Sequence, residues 1–323
     1  MKKNGKGGYV QQNQMVLKRR RGRGTRIVRG IPIYLMMLPG LIYLFCNNYM
    51  PMFGIVIAFK NINWQKGIWG SDWVGLKNFE FLFQTDEAFT MIRNTLLYNI
   101  LFIILSMVCA VTVAVLLNEI SRKLPKTVYQ SLILLPYLIS WVIVSYLAYA
   151  FLSNETGLLN NILVSLGMEK VSWYQETKYW PFILTFVNLW KNIGFQMIIY
   201  YSTIVGIDQE LYEAAKLDGA NKRQQIRNIT IPLLKSTIIT LLIISIGAIM
   251  TSDFGLFYQV PKNQGALYPV TQTVDTYVYN ALMRLGNISM SSAASVLQSI
   301  VGFVFVAAAN AIVRKYEKES ALF

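Results

Sequence analysis

Six long apolar stretches alternate with polar ones along the 323 residues of this chain. They fall at residues 31–59, 89–117, 128–151, 179–205, 236–258 and 291–313, and each suffices for the ~20 residues that cross a bilayer as a helix. The first exceeds that need, and Asn47-Asn48 with Pro51 predict a kink in it or the end of its membrane part. The third carries Pro136. Between the stretches, residues 60–88 are polar and aromatic, with Trp64, Trp69 and Trp73 at interface-like positions. Residues 152–178 carry Gly157, Asn160, Asn161 and Gly167, and a short amphipathic helix is expected over 274–285. The pattern predicts an all-α integral membrane protein of six transmembrane helices. A polar, Gly-rich arm over 1–30 precedes a membrane domain over 31–313, and a tail covers 314–323.

One polar island, residues 206–235, reads as two short helices. Asp208 can cap the first, and Gly219 supplies a stop where positive φ is cheap. Asn221 can cap the second, with Gln224 at the reciprocal capping-box position and Pro232 expected to end it. Ala214 and Ala215 leave a nearly bare surface beside the acid Glu213, and Gly219-Ala220 keeps the turn narrow. Such a knob can enter a groove on another protein, with Glu213 fixing its orientation. It can equally be an ordinary surface helix-turn-helix, and spacing alone leaves both open.

Composition supports the membrane reading, since 54% of residues are hydrophobic and 14% are charged. The net charge of +14 could suggest nucleic acid, but its placement does not. Of the 30 Lys and Arg residues, 21 lie in 1–30, 118–127, 206–235 and 314–323, the segments that share one side. The positive-inside rule then puts both termini and the 206–235 loop in the cytoplasm. The run Lys18-Arg19-Arg20-Arg21-Gly22-Arg23 is expected on anionic headgroups, since an apolar span follows directly, and the arm lacks the cleavage site of a secretory signal. Histidine is absent, which removes His-based metal sites and triads; Cys46 and Cys109 sit in apolar runs as packing residues. Without a Gly-x-x-x-x-Gly-Lys-Ser/Thr loop the chain is not expected to hydrolyse ATP by itself.

Glu213-Ala214-Ala215, then Asp218-Gly219-Ala220, then Ile229-Thr230-Ile231-Pro232 closely resemble the cytoplasmic signature of permease subunits of binding-protein-dependent ABC importers. Ile231 is a mild departure, Leu being commoner there. The resemblance continues through Gly75-Leu76-Lys77-Asn78-Phe79, Asn94-Thr95, Leu135-Pro136, Gly157-Leu158-Leu159-Asn160 and Trp190. It is closest to the carbohydrate branch, and there to polysaccharide and complex-oligosaccharide permeases. It implies the type I importer permease fold with a cytoplasmic coupling helix, in a bacterial cell membrane. Glu213, Ala214, Ala215, Asp218, Gly219, Ala220 and Pro232 would then couple to an ATPase dimer. The implied partners are that ATPase dimer, a second permease forming a heterodimer, an extracytoplasmic solute-binding protein and a sugar. No cofactor is expected on this chain, ATP and Mg being used by the ATPase partners. Six spans are also few for a self-contained secondary transporter, so a missing half is expected from another polypeptide.

Polar groups inside spans are site candidates. Asn188, Asn192, Phe195 and Gln196 fall on one helical face, where amides can bind sugar hydroxyls and a ring can stack on the sugar. The resemblance places the substrate-facing surface at Asn188, Lys191, Asn192 and Phe195, and after the signature at Ser245, Ile249 and Ser252; Trp190 and Asp253 complete the candidate set. Lys191 is expected to favour an acidic sugar or to pair with Asp253. The competing roles are helix glue for Asn and Ser, an interface anchor for Trp190 and snorkelling for Lys191. For Tyr137, Trp141, Tyr146 and Tyr149, packing is the stronger expectation. Alternative functions are an ABC permease for peptide or amino acid, an ion-coupled carrier, a membrane-embedded enzyme, for which no convergent catalytic set is found, and a membrane sensor without transport.

Overall fold

The computed structural model describes residues 23–316. The basic arm up to Gly22, with most of its cationic cluster, and the tail from Glu317 lie outside the described residues. The chain divides into two units, residues 1–54 and 55–323. In the first, helix α1 (Arg23–Leu44) begins inside the expected arm. It passes into a π-helical turn at Phe45–Tyr49, and the 3-10 helix that follows, Met50–Phe59, runs past the end of this unit at Gly54. The change of helix type thus falls on Asn47-Asn48 and Pro51, where Asn47 Nδ2 donates to the Tyr43 carbonyl.

The described residues of the second unit are mostly helical, with one two-residue antiparallel pair, Lys60–Asn61 with Asp72–Trp73. Its helices include α2 (Asp86–Glu119), α3 (Lys123–Leu138), α4 (Trp141–Leu152), α5 (Leu158–Ser165) and α6 (Trp180–Val205). Then come α7 (Gln209–Leu217), α8 (Lys222–Gln225), α9 (Ile231–Gly247), α10 (Val274–Leu285) and α11 (Ile288–Tyr316). Among the described residues, five helical segments are long and apolar enough to cross a membrane, and the bent pair α3–α4 would make a sixth.

α2 is the central post, because all three hydrophobic clusters draw on it. Ala88 and Met91 pack with α10 and α11, Tyr98 and Phe102 with Trp180 and Leu184 of α6, and Ala110 and Ala114 with Met197 and Ile204. Lipid tails are as apolar as leucine, so close packing and interhelical hydrogen bonds hold such helices together rather than flight from water. Gly194 shows the close packing: a Cβ there would collide with the Ile133 carbonyl oxygen, so this glycine lets α3 and α6 touch backbone to backbone. The segment between α4 and α6 is held by Asn160, fully buried. Its side chain donates to the Asn154 and Val171 carbonyls and accepts from the Val171 amide and from Trp173 Nε1, at 3.0–3.2 Å.

Three boundaries differ from expectation. The third span is not one rod: α3 and α4 meet at 96°, and Pro136 near the end of α3 with Ser140 capping α4 through the Ile143 amide explains the break. The fifth span ends at Gly247 rather than near 258. Residues after it form a loop whose Ser252 N–H and hydroxyl are captured by Asp275 at 2.6 and 2.8 Å, which draws the chain toward α10. Nor does Pro232 end a helix. Lys222 to Gly247 is one continuous helix, in which a π-helical turn at Ile226–Thr230 widens the backbone just before the proline, where its missing N–H would otherwise break the ladder.

Candidate functional site

Two features carry the candidate residues. One is an open cavity of about 380 Å³ bounded by α2, α6, α9 and the loop after α9. α6 contributes Asn188, Asn192, Phe195 and Gln196, the face marked by sequence spacing. Asn192 Nδ2 donates to Asn188 Oδ1 at 2.8 Å, which leaves the remaining amide groups of the pair for a ligand. Phe195 is 46% exposed and stacks on Tyr137 with ring centroids 4.7 Å apart, so the aromatic wall is held from behind. Ser245 of α9 and Asp253 of the following loop also line the cavity. The Asp253 carboxylate accepts from the Gly255 and Leu256 amides at 2.9 and 3.3 Å, which fixes its direction.

Four candidates stand elsewhere. Lys191 is buried and donates to the carbonyls of Pro136, Tyr137 and Ile139 at 3.3, 2.9 and 2.6 Å. Its ammonium has three protons, so all are used capping the end of α3, and the Trp141 ring centroid lies 5.0 Å from it. No ion pair joins it to Asp253 among the described residues. Ser252 is buried in the Asp275 network, with Thr273 at 2.7 Å, because the fifth helix ends before reaching it. Ile249 is core, and Trp190, 37% exposed, does not line the cavity. Asn99 and Ser106 of α2 do line it, seven residues apart on one face. Asn99 Nδ2 also donates to the Ile249 and Thr251 carbonyls at 2.8 and 3.1 Å. They were missed although a polar residue inside an apolar span was the available signal.

The other feature is the 206–235 loop. Asp208 Oδ1 accepts from the Glu210 amide at 3.0 Å to start α7. At its end the Ala220 amide donates to the Ala215 carbonyl and the Gly219 amide to that of Lys216, at 2.9 and 3.0 Å, with Gly219 at φ +82°. This is a Schellman stop, which needs the left-handed residue that glycine supplies without strain. Asn221 and Gln224 close the expected capping box on α8 at 2.8 and 3.0 Å. Tyr212 Oη and Thr230 Oγ1, 2.9 Å apart, fasten α7 to the π-turn. Glu213, Ala214, Asp218 and Gly219 are exposed, Ala215 and Ala220 are half-buried, Pro232 is exposed on the continuous helix, and Leu217 at the tip is 90% exposed. A rigid, capped protrusion thus grows directly out of a membrane-length helix.

The model of the "binding-protein-dependent transport system inner membrane component" family matches residues 102–318, two thirds of the chain and all of this loop. The chain belongs to that family. Among relatives, this permease is 38% identical over 287 residues to the polygalacturonan/rhamnogalacturonan transport system permease protein YteP of Bacillus subtilis, covering 89% of each chain. It is 33% identical to protein LplB of the same organism, covering 89% of this chain and 90% of that one. Among solved structures, a chain of a bacterial ABC transporter involved in the import of the acidic polysaccharide alginate is similar at TM-score 0.83 and 31% identity, covering 91% of the permease and 99% of that chain. A chain of a bacterial alginate ABC transporter in complex with alginate pentasaccharide-bound periplasmic protein is similar at TM-score 0.82 and 31% identity, covering 91% of the permease and 98% of that chain. The permease therefore has the type I importer fold and is a multi-pass inner-membrane protein.

Proposed function

We propose that this permease forms half of the translocation path for an oligosaccharide or polysaccharide fragment and transmits work to it from cytoplasmic ATPase subunits through α7 and α8. A second permease supplies the other half, an extracytoplasmic binding protein delivers the sugar, and ATP with Mg is used by the ATPase partners. The observation that carries this is the capped, exposed knob at Glu213 to Ala220, fused through one continuous helix to Ser245 on the cavity wall. A groove that closes on the knob would tilt that helix. The cavity offers amides, hydroxyls and a framed ring, the groups that bind sugar hydroxyls and C–H faces. Among the described residues its lining includes Asp253 and no lysine or arginine.

The test is sugar-stimulated ATP hydrolysis by the assembled complex in vesicles, across a set of oligosaccharides. Glu213→Arg should leave the protein in the membrane and abolish that stimulation. Stimulation by peptides or amino acids instead would replace the substrate class, and uptake that survives ATP depletion but collapses with an ionophore would replace the mechanism.

A further inference from the structure

A second hollow, of about 370 Å³, lies where the ends of α2 and α6 meet the 206–235 loop. It is bordered by Glu119 of α2, Lys126 of α3, Tyr201 of α6, Tyr212 and Lys216 of α7 and Lys222 of α8. Its charges do not balance. The carboxylate of Glu119 is taken by Lys222 at 2.8 Å. Lys126 makes one long contact with the Asn118 carbonyl, at 3.4 Å, and stands 5.6 Å from the Tyr201 ring centroid. Lys216 makes no hydrogen bond or ion pair among the described residues. Two ammonium groups from different elements therefore share a polar hollow whose one lining carboxylate, among the described residues, is paired with a third ammonium, that of Lys222.

Its place in the fold says what anion belongs there. Glu119 is the last residue of α2 and Val205, also on its wall, the last of α6, so the hollow sits at the ends of two membrane-length helices. Two tyrosines line it, the residue type that favours that layer. The hollow also lies behind the protrusion rather than on it. Gln209, Tyr212 and Lys216 face it at i, i+3 and i+7, whereas Leu211 and Ala214 stand exposed on the other side of α7.

We propose that this hollow binds the phosphate of an anionic glycerophospholipid through Lys126 and Lys216, and that the bound headgroup ties the 120–126 turn to α7. The inference rests on the 206–235 loop facing the cytoplasmic leaflet. A basic hollow among helix ends differs from general attraction of a positive surface to acidic lipid in being confined to named side chains.

Native mass spectrometry of the full chain in detergent, mixed with phosphatidylglycerol and phosphatidylcholine, tests it. The wild type should retain phosphatidylglycerol, and Lys126→Gln with Lys216→Gln should lower retention roughly tenfold or more. Lys123→Gln, a cation in the same turn but outside the hollow, should retain it, and Lys126→Arg with Lys216→Arg should restore it. Equal retention by all variants, or equal retention of phosphatidylcholine, overturns the site. Displacement of the lipid by inorganic phosphate or glycerol 3-phosphate at comparable concentration overturns the lipid and assigns a soluble anion. In vesicles of the assembled complex, sugar-stimulated ATPase activity should rise with phosphatidylglycerol content in the wild type and not in the Gln variant. A complex that binds the lipid as stated but shows no sugar-stimulated activity overturns the transport reading and leaves the site standing.

Discussion

Lys191 illustrates how a residue can have the right chemistry for a ligand and spend it on the protein. A buried ammonium must have acceptors, and the turn between α3 and α4 offers the Tyr137 and Ile139 carbonyls, past the helix's own donors. Each solves the other's problem. Lys191→Met should strip the Tyr137 and Ile139 carbonyls of this donor, while the Pro136 carbonyl keeps the Ile139 amide, and should cost about 1.5–3 kcal/mol, the scale of a charge-assisted hydrogen bond. It should appear as a lower melting temperature of the purified permease, with altered uptake only as a consequence. Unchanged melting with altered sugar selectivity would return Lys191 to the sugar path. Ser252 makes the same point, since its hydroxyl is held between Thr273 and Asp275.

At the scale of an element, the proposed lever is the 206–235 loop, whose short helices are capped at their joints. Gly219→Val places a β-branched residue at φ +82°, a left-handed conformation that costs about 1–2 kcal/mol for a residue with a Cβ. The loss falls on one turn of a many-helix protein, so Gly219→Val should reach the membrane in normal amounts while sugar-stimulated ATPase activity drops. Full stimulation in that variant would mean that the angle between α7 and α8 does not matter. Tyr212→Phe removes the bond to Thr230 and keeps the ring. It should lower the coupling of ATP turnover to uptake without lowering basal turnover, measured as sugar imported per ATP hydrolysed.

For the whole molecule, α2 and α6 are the frame and the cavity is the space they leave beside α9. Asn188→Ala with Asn192→Ala removes the amide pair from one wall and leaves the hydrophobic clusters of the frame intact but for the edge near Val187. Uptake should fall several-fold at sub-saturating sugar, while basal ATP hydrolysis and melting temperature stay near wild type. A matching loss of stability would assign the pair to helix packing instead.

Much was legible in the chain because the bilayer imposes simple rules. Backbone groups must be satisfied within each crossing, so apolar runs of spanning length read as helices, and the capping residues of α7 and α8 act on neighbours three or four positions away. The face Asn188, Asn192, Phe195 and Gln196 was legible for the same reason, since helical periodicity alone brings it together. What the chain could not show was decided by contacts between distant segments. The 96° break at α3–α4, held by Lys191 from α6, the end of the fifth helix at Gly247, with Asp275 drawing Ser252 away, and the arrival of Asn99 beside the cavity each depend on a partner tens of residues off. Local rules fix where helices begin and which face is polar; only packing decides which polar groups are already satisfied and which are left to meet a ligand.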